Sequence, residues 1–105
     1  MIDGYQEQLQ KFMDIWETSV RNNSTKQFGD DHLVKSLREE PKGRKYSKIT
    51  DGSCVCCFVE KSTGDIFKPA GWKAPAKHVR GNIFSKDTGM EAVQGSFVYS
   101  VRYLK

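Results

Sequence analysis

Apolar residues recur every three or four positions from Tyr5 to Val20 and every second position beyond Pro41. That change of period limits the chain to a fold that packs helix against sheet. In the first stretch Tyr5, Leu9, Phe12, Met13, Trp16 and Val20 line one face of an amphipathic helix over 2–20, with Asp3 as a candidate cap and Asn22-Asn23-Ser24-Thr25 as a polar exit. Gly29-Asp30-Asp31 then supplies a start signal for a second, shorter helix through Glu40. It would bury Val34 and Leu37 together with Leu33, and Pro41 would stop it. His32 would fall in the first turn of that helix, as a polar residue at its surface.

After Pro41-Lys42-Gly43 the pattern alternates. Lys45 to Thr50 reads as a strand, Asp51-Gly52 as a hairpin turn, and Ser53 to Glu60 as an apolar strand bounded by Lys61-Ser62-Thr63-Gly64-Asp65. Val55, Cys57 and Val59 point to one side of that strand and Cys54, Cys56 and Phe58 to the other. Both sides are apolar, so the strand belongs in the middle of a sheet covered on each face. Ile66 to Lys68 adds a third strand, and Ser96 to Leu104 closes the chain as another, with Phe97, Tyr99, Val101 and Tyr103 alternating against Val98, Ser100, Arg102 and Leu104. The expected fold is α+β, two N-terminal helices on a small antiparallel sheet of three to five strands. At 105 residues this is one domain, helical over 1–40 and sheet over 44–105.

Charge divides along the same line. Residues 1–40 carry a net −3 and residues 41–105 a net +7, so the sheet half is the part that attracts a polyanion. The densest region is 63–82, with four cations, Trp72, two prolines and three glycines and no apolar period. It reads as a shaped basic loop over 69–82, held rigid by Pro69 and Pro75. Pro75 and Gly81 sit where a short helix would begin and end, and one or two helical turns there would place Lys73, Lys77 and Arg80 on a single face. Cations beside an aromatic ring contact phosphates and stack a base. The candidate ligand-binding set is Lys68, Trp72, Lys73, Lys77, His78, Arg80 and Asn82. Its expected partner is nucleic acid or a nucleotide phosphate. Packing of Trp72 into the core is the competing reading, and it would leave the loop its charge without a stacking surface.

Other chemistry finds little support. Cys54, Cys56 and Cys57 crowd one strand, where neighbours face opposite ways, and neither His32 nor His78 stands at a ligand spacing from them; neither a metal nor another cofactor is expected. An odd, clustered set of cysteines builds no disulfide framework, which suits a reducing compartment. No apolar run reaches the roughly 20 residues of a membrane span, so no membrane partner and a cytoplasmic location are expected. No nucleophile–base pattern surrounds His78.

The string Thr63-Gly64-Asp65-Ile66-Phe67-Lys68-Pro69-Ala70, continued by Trp72-Lys73-Ala74-Pro75-Ala76-Lys77 and Arg80-Gly81-Asn82 and preceded by Tyr46-Ser47-Lys48-Ile49, resembles a group of small uncharacterised proteins of tailed phages and other DNA viruses. Gly71 departs from that pattern, which more often has serine. The resemblance covers about the central 40 residues and implies a viral origin, hence host-cell cytoplasm and a binder rather than an enzyme. Two alternatives follow for the same loop: a phage-encoded inhibitor of a host defence protein, or a nucleotide-sequestering protein. A small hydrolase or nuclease is the third. Steep salt dependence of binding marks the nucleic-acid reading, and turnover marks the enzyme.

Overall fold

The computed structural model describes residues 2–29, 34–40, 44–52, 55–70 and 75–93. One helix, α1 (Tyr5–Phe28), packs on an antiparallel sheet of five strands: β1 (Arg38–Glu40), β2 (Tyr46–Thr50), β3 (Val55–Glu60), β4 (Asp65–Pro69) and β5 (Pro75–Asn82). Their spatial order is their chain order, a meander that short connections permit. A 3-10 turn at Met90–Ala92 follows. The expected strand over 96–104 and His32 lie outside the described residues.

The stripe on α1 is buried as its period requires: Tyr5, Leu9, Phe12, Met13, Trp16 and Val20 are all at most 5% exposed, and Ser24 extends the row by one turn. That continuation explains why the helix runs through Asn22–Thr25 instead of leaving there. It stops at Gly29, whose left-handed φ of 85° lets its N–H reach Thr25 O at 2.8 Å. The N-terminal cap is Gly4, not Asp3, and makes no side-chain capping bond.

The second helix is corrected. Val34–Leu37 is not helical and Arg38–Glu40 is a strand, paired with β2 through Arg38↔Thr50, Glu39↔Ile49 and Glu40↔Lys48. Glu40 precedes a proline, which disfavours helix there, and the ladder with β2 gives these backbone groups partners that a short isolated helix could not stabilise. Two side-chain anchors hold the segment to α1. Leu37 N–H donates to Glu17 Oε2 (3.1 Å), while the Glu39 carboxylate accepts from Gln6 Nε2 (2.7 Å) and from Ser47 Oγ (2.6 Å). Ser47 in turn accepts from the Tyr5 hydroxyl at 2.8 Å.

Strand β3 is central, and Cys56, Cys57, Phe58 and Val59 are buried from both sides. Cys57, Val59, Ile49 and Ile66 meet α1, whereas Phe58 and Phe67 pair across β3–β4 on the opposite face, where each meets the Tyr46 ring edge-on at 6.2 and 5.7 Å. The segment after β5 is drawn onto this core at Gly89. Its φ is +81°, and a Cβ there would lie 2.7 Å from Ile66 Cδ1 and from Phe12 Cδ1, so only glycine allows the approach.

Candidate basic site at the β4–β5 hairpin

Strands β4 and β5 pair as an antiparallel hairpin. Pairing runs from Asp65↔Asn82 and Ile66↔Gly81 through Phe67↔Val79 to Pro69↔Pro75. The expected helical turns at 74–81 are therefore corrected to strand β5. Proline at the first position of a strand removes no needed donor, and the ladder with β4 outweighs the local helix signals of Pro75 and Gly81. Of the expected loop over 69–82, residues 75–82 are strand and residues 71–74 lie outside the described residues.

The register is irregular at two places, between Ile66 and Phe67 and between Phe67 and Pro69, so β5 holds more residues than β4 opposite it. These bulges decide which cations face solvent. Lys77, His78 and Val79 are all exposed, Lys68 is half-buried, and Arg80, the extra residue between Val79 and Gly81, is turned inward to 7% exposure. The expected common face of Lys77 and Arg80 does not form, because 75–82 is strand and Arg80 is buried. Lys68 on β4 and Lys77 and His78 on β5 lie near the Pro69–Pro75 end of the hairpin. Trp72 and Lys73 lie outside the described residues.

Asn82 stands at the opposite end, where its amide serves the fold. Nδ2 donates to Thr63 O (2.8 Å) and Asp65 Oδ1 (2.9 Å), and Oδ1 accepts the Phe84 N–H at 2.7 Å. Gly64 completes that turn with φ +80° and an N–H bonded to Glu60 O at 2.7 Å; a Cβ would strike Phe84 Cδ2 at 2.6 Å. The Thr-Gly-Asp and Gly-Asn parts of the distinctive string are thus explained by packing.

Sequence reasoning missed one cation at the same end of the sheet, on its opposite edge. Arg38 pairs with Thr50, and its guanidinium lies over the Asp51-Gly52 turn, 3.7 Å from where a Gly52 Cβ would stand. Placing residues 30–40 in a helix hid it; the residue-before-proline bias at Glu40 was the available signal.

Cys57 offers no reactive thiolate. Cys56 and Cys57 are buried and in no disulfide, and burial, reinforced by Cys56, pushes the Cys57 thiol well above its ordinary value. Cys54 lies outside the described residues. Among the described residues no three His, Cys, Asp or Glu side chains converge on a possible metal site, and no helix is long and apolar enough to cross a membrane. Two shallow hollows flank α1. One of about 450 Å³ runs along its outer side by Asp14, Ile15, Thr18 and Asn22, and one of about 280 Å³ lies at its start by Ile2–Glu7; neither adjoins the basic hairpin end.

No curated protein and no solved structure matches the chain. A family model described as a family of unknown function (DUF7717) matches residues 2–103, nearly the whole sequence. The chain belongs to that family.

Proposed function

We propose that this is a small binding protein that holds nucleic acid, or another phosphate-rich ligand, at the Pro69–Pro75 end of the β4–β5 hairpin. The observation that carries the reading is the exposure of Lys77 and His78 beside Lys68 on a rigid hairpin, in the half of the chain with a net charge of +7. Lys68 and Lys77 would neutralise phosphates, and His78 would add a hydrogen bond. Trp72 and Lys73 join the proposed site on sequence grounds, the first as a stacking ring. Arg80 is too buried to be a leading contact, and Asn82 supports the turn at the far end. The likeness of residues 63–82 to phage proteins supports a viral origin and action in the host cytoplasm.

Titration of labelled single- and double-stranded oligonucleotides at several salt concentrations tests this. Replacing Lys68 and Lys77 together by alanine should weaken binding and flatten the dependence of log K on log salt by about 0.7 to 0.9 for each lost phosphate contact. Wild-type protein that binds neither form at low salt overturns the proposal and moves the same surface to a host-protein partner. Turnover of the oligonucleotide would make the protein a nuclease.

A further inference from the structure

Resting on that reading, we infer that the site extends across the sheet end to Arg38, and that its ligand is a polyphosphodiester strand several nucleotides long rather than a mononucleotide. The sheet order places β1 and β5 at opposite sides of one sheet end, where β1 begins, β2 finishes at Thr50, β4 finishes at Pro69 and β5 begins at Pro75. Arg38 marks one side of this rim, and Lys68 with Lys77 the other. With strands about 4.8 Å apart, the three intervals from β1 to β4 and the four from β1 to β5 set the strand of Arg38 roughly 14 Å from that of Lys68 and roughly 19 Å from that of Lys77. A mononucleotide cannot bridge those distances; a strand of several nucleotides can.

The backbone around Arg38 is fixed with care for so short an element. Leu37 N–H is held by Glu17, and the Glu39 carboxylate is held by Gln6 and Ser47. Strand alternation then turns Arg38 away from the helix face that Glu39 occupies. Among the described residues the Arg38 guanidinium makes no hydrogen bond or ion pair, while Asp51 in the neighbouring turn is engaged within the chain. An exposed, permanently charged fork with no acceptor among the described residues is suited to phosphate.

Arg38→Gln keeps the side chain's bulk over Gly52 and removes its charge. Its binding to a twenty-nucleotide single strand, to the corresponding duplex and to a mononucleotide should be compared with wild type, with Lys68→Ala/Lys77→Ala, and with Arg44→Gln, which removes an exposed charge near the opposite end of β2. The expected result is a salt slope flatter by about 0.7 for the single strand, or about 0.9 if the duplex is the preferred form, with no change for the mononucleotide or in Arg44→Gln. Arg38→Lys should retain most of the slope. If Lys68→Ala/Lys77→Ala weakens binding while Arg38→Gln titrates like wild type, the extension is wrong and the hairpin reading stands. If the wild-type protein binds no oligonucleotide, both fall. Melting curves of the free proteins separate a lost contact from a loosened turn, since a variant that melts early yet retains the wild-type slope also refutes the contact.

Discussion

The two ends of the β4–β5 hairpin are built from equally polar sequence and use it in opposite ways. At the Asp65–Asn82 end Thr63, Asp65 and Asn82 bond one another and the backbone, and Gly64 is pressed under Phe84. Toward the Pro69–Pro75 end Lys77 and His78 project into solvent from a bulged strand. A polar residue that satisfies buried backbone groups is explained by folding; one that faces water on a rigid support is available for a ligand. The distinctive string of residues 63–82 is therefore a composite, in which Thr63, Asp65 and Asn82 serve the turn while Lys77 and His78 are exposed.

The largest effect should come from the support beneath both ends. Trp16 is fully buried in the α1 stripe, with its ring 5.3 Å from that of Phe12, the same Phe12 that Gly89 approaches. Trp16→Ala should cost about 3 to 5 kcal/mol, a large part of the stability of a domain this size. Chemical denaturation measures it. A wild-type midpoint would mean that α1 is not what holds the sheet, and the contrast between the two ends would lose its common frame.

A smaller effect should appear at high pH and should come from the core alone. Burial is the main cause that pushes the Tyr5 hydroxyl from 10.0 up to about 12, with the hydrogen bond to Ser47 opposing it and the Glu39 charge adding to it. Because the neutral form is favoured in the folded state, the contribution is fully present below pH 10, falls as pH rises between 10 and 12, and is absent above the folded value. Two units correspond to about 2 to 3 kcal/mol. Cys57 acts in the same direction from its ordinary value of 9.0 upward. Denaturant midpoints from pH 8 to 12 should fall steeply, and Tyr5→Phe should flatten the upper part of that fall. An unchanged pH profile in Tyr5→Phe would remove Tyr5 from the explanation.

How far the sequence disclosed all this depends on whether the signal was local. The α1 stripe, the strands β2, β3 and β4 and the central place of β3 could be read because burial on one or both faces writes a period into consecutive residues. Strands β1 and β5 could not. Each is made by pairing with a neighbour, and each carries helix-like punctuation: Gly29-Asp30-Asp31 ahead of one, Pro75 and Gly81 within the other. The same limit applies to the candidate residues. Charge and an expected helical spacing singled out Lys77, Arg80 was expected on an exposed face although it is buried, and Arg38 fell inside an expected helix. Bulges and edge pairing are properties of two strands together, so no single stretch announces them.

The smallest difference separates Asn82 from Lys77, and it bears most directly on the comparison of the two ends. Asn82→Ala removes three hydrogen bonds around a partly exposed turn and should cost about 1 to 2 kcal/mol, with the Phe84 N–H left to find water. Lys77→Ala, at an exposed position, should change stability by no more than about 0.5 kcal/mol. In binding the order should reverse: Lys77→Ala should lose about 0.7 to 0.9 of the salt slope, while Asn82→Ala, measured well below its melting point, should keep the wild-type slope. If Asn82→Ala melts like wild type but weakens oligonucleotide binding, its amide belongs to the ligand after all, and the hairpin is one continuous site rather than a fastened turn with a binding tip.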